Sequence, residues 1–513
     1  MAADVKDLFT LVPAPGIQRD GTSLNSLAYV DGVWVRFYMG KPKKMGGYRE
    51  IVKAQGPISL VHVTPRLALT TVYMYWTDGI QRVNVDLNSV GSGVDTSKTP
   101  VGFAANPNNL WSADNLYDST GGGAGVIVAH AAPNAQYINS ADNFPVYYGS
   151  DSDNLPLVTT GESVSGGCCV LQPYLFIYGN NGLIANSALN QPANFATGDA
   201  NRVNVAGTKV VKGLPIRGGN TAPAGLFWSL ESLIRVSYVG GTAKFRYDTV
   251  SSETSILGCN TPIEYDGVYY WIGVDRFYMY DGVVRELPNS SNLDWFFAHI
   301  NFAWRNRCWA SKVSRHGEIW WHFPKDNSTV CNWAIVYNVR EKTWYDTPIS
   351  RSAGAAAQSL PTPTWVDSNP AVEGGTTYSL WQHEIGHDVI IGDFQGAIDS
   401  YFETSEFGFT TGGTAQNPAG GKNFWTTLSR VEPDFKQSGV DAATEMTFQV
   451  IGLEYPNSPP DYREEYPFDR TTTKVDCREQ QRLIRLRFRS NVVGGNYHMG
   501  RLTLHISFGD RRE

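Results

Sequence analysis

Val268-Tyr269-Tyr270-Trp271-Ile272-Gly273-Val274-Asp275-Arg276-Phe277-Tyr278-Met279-Tyr280-Asp281-Gly282-Val283-Val284-Arg285 is the stretch on which the fold turns. It holds short aromatic and β-branched runs, and Asp-Gly pairs fall at 266–267 and 281–282. Such runs favour strands. Asp-Gly offers the positive φ of a two-residue hairpin turn whose twist matches the strands it joins. The same order stands far upstream as Tyr73-Met74-Tyr75-Trp76, Asp78-Gly79 and Arg82-Val83-Asn84-Val85. Residues 174–178, 227–238, 318–323, 333–345 and 389–402 repeat the plan. Hairpins at irregular intervals of roughly 40–60 residues lie near the length of a propeller blade. A blade buries both faces against its neighbours, which suits strands that are aromatic throughout. The reading is an all-β chain with a β-propeller over 51–410, and a β-sandwich is the main alternative.

Two segments depart from the plan. Residues 88–165 are rich in Gly, Asn, Ser, Asp and Ala and read as a loop-rich insertion. Residues 411–423, with two Gly-Gly pairs, read as a flexible tip loop closing the repeat region. Residues 411–513 then read as a C-terminal antiparallel β domain, sandwich-like, with a tip loop at about 455–470. Residues 1–50 form an N-terminal arm and first hairpin expected to pack with that C-terminal sheet.

Composition bounds the function. A chain of 513 residues predicts two to four domains or one large repetitive one. Apolar residues at 42% suffice for a core, and charged residues at 18% are sparse beside a typical value of about 25%. A net charge of −7 sets the chain apart from basic nucleic-acid binders. No apolar run approaches about 18 residues, so no membrane anchor is expected. The opening Met1-Ala-Ala-Asp-Val-Lys-Asp-Leu8 lacks the apolar run of a secretory signal. None of the six cysteines forms a C-x-x-C pair, so they read as reduced thiols packed as small apolar residues in a chain made in the cytoplasm.

One enzyme motif occurs. His383-Glu384-Ile385-Gly386-His387 matches H-E-x-x-H of zinc proteases. That chemistry needs a helix, on which residues i and i+4 share one metal. The flanking residues 374–381 and 389–392 have strand character, and on a strand the two histidines would lie about 13 Å apart. The extended form fails as well, because Ile390 and Asp393 stand where Gly and His are needed. A third ligand, Glu403 or Glu406, has no support. Nucleophile-elbow and nucleotide-binding motifs are missing, Gly420-Gly421-Lys422 lacks the rest of a phosphate loop, and Glu464-Glu465 reads as solvated surface. No cofactor, metal site or catalytic residue is expected.

Two basic clusters carry more weight. Lys41, Lys43 and Lys44 lie in Gly40-Lys-Pro-Lys-Lys-Met-Gly-Gly-Tyr-Arg49, read either as a solvated hairpin loop or as a docking or DNA-proximal element. Arg485, Arg487 and Arg489 alternate with Leu486 and Phe488, which places all three on one face of a strand. Such a row meets acidic partners, another subunit or phosphate; salt pairing within an oligomer is the leading reading and phosphate contact the second.

In this order, Asn25-Ser-Leu-Ala-Tyr-Val-Asp-Gly32 with the 40–48 turn, Ser229-Leu-Glu-Ser-Leu-Ile-Arg-Val-Ser-Tyr238, the 270–280 hairpin and the arginine-rich penultimate strand resemble the tail-nozzle proteins of short-tailed bacteriophages, also called packaged-DNA stabilisation or tail-hub proteins. The resemblance spans most of residues 20–513; the stretch 88–165 has no counterpart. It implies a virion structural protein assembled in the host cytoplasm, a hexamer below the portal and adaptor. Such a ring contacts tail fibre, spike or needle proteins and passes double-stranded DNA. Six copies at −7 each would carry −42, and a tube that is not strongly basic lets DNA slide. The alternative from another class is a carbohydrate-binding propeller, suggested by aromatic and Asn/Gly-rich loops; the zinc protease is the lesser alternative.

Overall fold

The computed structural model describes residues 7–65, 70–85, 96–103, 110–118, 124–132, 144–149, 154–217, 222–355, 360–408, 410–411, 422–438 and 444–511. Seven four-stranded antiparallel blades follow one another along the chain. Blade 1 is built from 60–65, 70–76, 79–85 and 96–97, blade 2 from 110–118, 124–132, 146–149 and 157–158, and blade 3 from 167–171, 174–178, 183–186 and 201–204. Blade 4 spans 210–251, blade 5 263–286 and blade 6 309–348. Blade 7 takes three strands from 351–383 and its fourth, Tyr48–Lys53, from near the start of the chain. The hairpin 388–391/394–397 then extends that sheet outward.

Except between blades 4 and 5, which meet through an apolar cluster, the first strands of neighbouring blades run side by side, and 60–65 lies beside both 110–118 and 351–355, so the ring closes. An apolar cluster of its own fills each of six gaps among the described residues, and the gap between blades 6 and 7 shares one with the remaining strands. Val72 and Met74 meet Val366 and Leu380 between blades 1 and 7. Tyr73 and Tyr75 meet Trp111 between blades 1 and 2. Further round, Trp228 packs edge-on against Trp271 at 5.7 Å between blades 4 and 5. Burying such a side chain stabilises the ring by about 1.5–3 kcal/mol. This explains why strands such as Glu318–Phe323 are buried at every position.

Residues 88–165, expected as a loop-rich insertion, instead contribute the whole of blade 2 between their loops. Its strands use small residues and few large anchors (Trp111, Leu116, Val128, Val146), so the segment has a loop's composition. Asp266-Gly267 is the two-residue turn expected, with φ of 49° and 81° joining Tyr265 to Val268. Asp78-Gly79 differs: the turn is Thr77-Asp78, and Gly79 already pairs with Trp76. There the glycine is set by crowding, since a Cβ would stand 2.2 Å from Thr99 Oγ1.

The remaining strands form a two-sheet sandwich. One sheet orders 31–33, 400–403, 483–490, 446–453 and 461–468. The other joins 35–38, 41–44, 422–436 and 498–511, with 7–11 and 475–481 alongside and 410–411 at its edge. Phe402, Phe448, Phe488, Leu504 and Ile506 lie in its core, in one cluster with Trp320, Trp365 and Trp381 of blades 6 and 7. Strands on both sides of the proposed boundary at 411 belong to the sandwich, so the division falls nearer 398 than 411. The tip loop expected at 455–470 is mostly an exposed edge strand, Asp461–Phe468, whose charged residues blunt an open edge. Most of 411–423 lies outside the described residues. No helix of the described residues is long and apolar enough to cross a membrane. All six cysteines are unpaired and five are buried; burial pushes Cys168, Cys331 and Cys477 up to about 12.

Candidate functional site

The arginine row lies on Leu483–Ser490, in the middle of the five-stranded sheet. Its neighbour Ser400–Glu403 sets Tyr401 opposite Arg489 and Glu403 opposite Arg487. Arg485 pairs with Glu403 at 3.1 Å and with Glu406. Arg487 donates from Nε to Glu403 at 2.7 Å, and its guanidinium lies 4.8 Å from the Tyr401 ring and 5.2 Å from the Tyr462 ring. Arg489 donates to both Asp399 oxygens at 2.7 and 3.1 Å. Every one of these carboxylates belongs to the same chain. The row is a self-neutralised ladder, and the acidic partners that the sequence reading sought in another subunit are found on and beside the neighbouring strand, some 80–90 residues earlier. The signal was present: Asp399, Tyr401 and Glu403 alternate at the same period as the arginines.

Replacing Arg485, Arg487 and Arg489 together by Ser is therefore expected to destabilise the isolated chain by roughly 2–4 kcal/mol, because Glu403 and Glu406 stay buried without partners. Chemical denaturation at two protein concentrations checks this. A loss that appears only at concentrations where the chain associates would return the arginines to an inter-subunit role.

Lys41, Lys43 and Lys44 do not form a loop. They lie on strand Lys41–Lys44, joined to Val35–Tyr38 by the turn Met39-Gly40, both at positive φ. Lys43 sits 5.1 Å over the Tyr38 ring. Lys44 is buried, and its Nζ has no hydrogen-bond partner among the described residues. Burial pushes this amine down to about 8, against the pull of Asp388 and Asp399.

Residues 383–387 are strand and turn. His383 ends strand Ser379–His383, and Glu384 has φ 61°. The turn rests on Gly46-Gly47: Gly47 N donates to Gly386 O, Ile385 N donates to Gly47 O, and a Cβ on Gly46 would stand 2.7 Å from Glu384 Cα. His383 Nε2 accepts from Arg351 Nε at 3.0 Å, and its ring lies between Tyr48 and Trp365. Burial and then the Arg351 charge push this imidazole well below its usual range. Its Nε2 lone pair is thus in use. Glu403 and Glu406, considered as third ligands, serve the arginine ladder. Among the described residues no group of three or more His, Cys, Asp or Glu side chains is placed to hold a metal ion.

The Glu384 carboxylate has a different task. Arg36, on the sandwich strand Val35–Tyr38, is 1% exposed. Its Nη1 and Nη2 donate to Glu384 at 2.6 and 2.7 Å, while Nε lies 2.8 Å from Glu318 of blade 6. Tyr345 Oη and Trp320 Nε1 donate to Glu318 at 2.7 and 2.9 Å. Burial alone would raise the Glu384 carboxyl; the Arg36 guanidinium overrides this and holds it well below the usual carboxylate range. A second clasp joins Arg19 to Asp346 of blade 6 at 3.0 Å and to Asp31 of the sandwich at 2.6 Å. The sequence reading missed both clasps, because Arg36 stands some 280–350 positions from Glu318 and Glu384, and Arg19 stands 327 positions from Asp346.

A pocket of about 100 Å³ opens on the propeller axis, where the inner strands begin. Five blades meet there: Ile58 ahead of blade 1, Leu110 of blade 2, Asn260 ahead of blade 5, Trp309 of blade 6 and Ser352 of blade 7. Asn306 and Arg307 complete one wall. The lining offers neutral hydrogen-bonding groups, apolar surface and one guanidinium.

No family model matches this chain, and no curated protein matches it. Among solved structures, an exo-β-1,3-galactanase from Phanerochaete chrysosporium in complex with β-1,3-galactotriose is similar over 90% of this chain and 100% of its own, at 9% identity and a TM-score of 0.30. A likeness that slight says nothing about what this chain binds.

Proposed function

We propose that this chain is a virion structural subunit, the tail nozzle or hub of a short-tailed phage, forming a hexameric ring that retains packaged DNA and conducts it at ejection. The observation that carries the reading is the ion cluster of Arg36, Glu318 and Glu384, in which Arg36 and Glu318 are buried and Glu384 is half-buried. It clamps the sandwich, which holds the resembling stretches from both chain ends, to the propeller, which holds the two in between. A subunit in the wall of a pressurised conduit needs two such parts held as one stiff body. The arginine ladder fits as well: charges matched within the chain leave little net field to grip duplex DNA, whose affinity for protein rests on unpaired cations. Adaptor and portal proteins above, and fibre, spike or needle proteins below, are the partners this reading names. Native mass spectrometry of the purified chain, followed by ring-averaged microscopy, tests it. A closed six-membered ring with an axial opening is expected, and a chain that stays monomeric at every concentration and salt overturns it.

A second reading, a sugar-binding propeller, is supported by the axial pocket alone. Its mix of amide, hydroxyl and apolar groups suits the hydroxyls and C–H face of a sugar.

A further inference from the structure

The turn Phe302–Arg307 reaches the axial pocket through its last two residues, Asn306 and Arg307. Arg305 lies 4.3 Å over the Phe302 ring, and Arg307 lies 4.5 Å over the Trp304 ring. Aromatic faces orient a guanidinium without neutralising it. Arg305 Nη1 donates to Phe302 O at 3.1 Å and Arg307 Nη1 to Thr329 O at 2.9 Å. Neither has a carboxylate partner among the described residues. Arg19, Arg36, Arg351, Arg485, Arg487 and Arg489 all do. Partial burial lowers both Arg305 and Arg307, with no acid nearby to offset it. Such a charge is stabilised by an anion brought from outside.

The rest of the pocket defines what accompanies the anion. Asn306 is 7% exposed and its Oδ1 is buried without a donor among the described residues. Thr77 and Asn260 add hydrogen-bonding groups, while Ile58 and Leu110 supply apolar surface. A pocket of about 100 Å³ holds more than one water-sized group and so admits a small polar ligand. We infer that the axial pocket takes a single acidic sugar, with its carboxylate on Arg307 and its hydroxyls on Asn260 and Asn306. The inference rests on the sugar-binding reading and is independent of ring assembly.

Calorimetric titration of the full chain with galacturonate, glucuronate, galactose and inorganic phosphate tests it. One of the acidic sugars is expected to bind in the millimolar range, as befits so small a ligand. Galactose and phosphate are expected to bind at least tenfold more weakly. Arg307→Gln should weaken the acidic sugar about tenfold while leaving the thermal melt unchanged, and Asn260→Ala should weaken it with no effect on the anion preference. The Asn260 variant also serves if Arg307→Gln fails to fold. Galactose binding as tightly as the acidic sugars overturns the acidic preference and leaves the sugar-binding reading standing. Phosphate binding as tightly overturns the sugar. Failure of all four ligands overturns both.

Discussion

Arg36→Ala should lower the unfolding free energy by about 3–5 kcal/mol, the cost of leaving buried charge without its partner. Both Glu318 and Glu384 lose their cation in this variant, and Glu318 is fully buried. Arg36→Lys should recover only part of the loss, because an ammonium cannot span two carboxylates as the planar fork does. The same clasp sets an acid limit. The Glu384 carboxyl is held low in the folded chain, so its contribution is complete above the unfolded carboxylate value of about 4.3 and is lost as pH falls through the folded value. Urea denaturation of both proteins from pH 7 to pH 3 is the measurement. The wild-type chain should lose stability steeply at the acid end, and Arg36→Ala should not share that slope. A variant within 0.5 kcal/mol of wild type, by the usual scale for surface changes, would show that the clasp holds nothing.

The opposite sign is expected at Lys44. Its amine is buried without a hydrogen-bond partner among the described residues, and its value falls from 10.5 to about 8. At roughly 1.4 kcal/mol per pKa unit, carrying the charged form at pH 7 costs roughly 2–4 kcal/mol. For a base the unfolded chain binds the extra proton between about 8 and 10.5, so this group makes stability rise with pH across that window. Lys44→Met keeps most of the volume and removes the charge. It should raise stability at pH 7 by about that amount, and the gain should shrink to nearly nothing by pH 10.5. A variant less stable than wild type at pH 7 would mean that Asp388 and Asp399 repay the burial in full.

What could be read from residues alone followed the size of the side chains. Strands such as Tyr174–Tyr178 and Glu318–Phe323 are bulky on both faces, and only burial between two blades explains that. Blade 2 escaped notice because its strands carry Ala, Gly, Ser and Asn where others carry Trp and Tyr. The arginine row was visible as a face, and its acidic counterpart shared its period, but spacing does not say which strand lies alongside. The clasps were hidden for a simpler reason. Arg36 is an isolated cation in a strand and Glu384 sits in a motif that points toward zinc chemistry; only the fold brings them together.

Closure of the seventh blade by Tyr48–Lys53 bears on how the molecule is made. During synthesis this segment leaves the ribosome first, yet its mate Ser379–His383 follows some 330 residues later, and strand 7–11 waits longer still for 498–511. The wheel cannot be sealed until 379–383 has emerged, nor the sandwich until 498–511 has. A polypeptide released early therefore carries unsatisfied strand edges at both ends, the species most prone to aggregate and the one that cellular quality control would remove first.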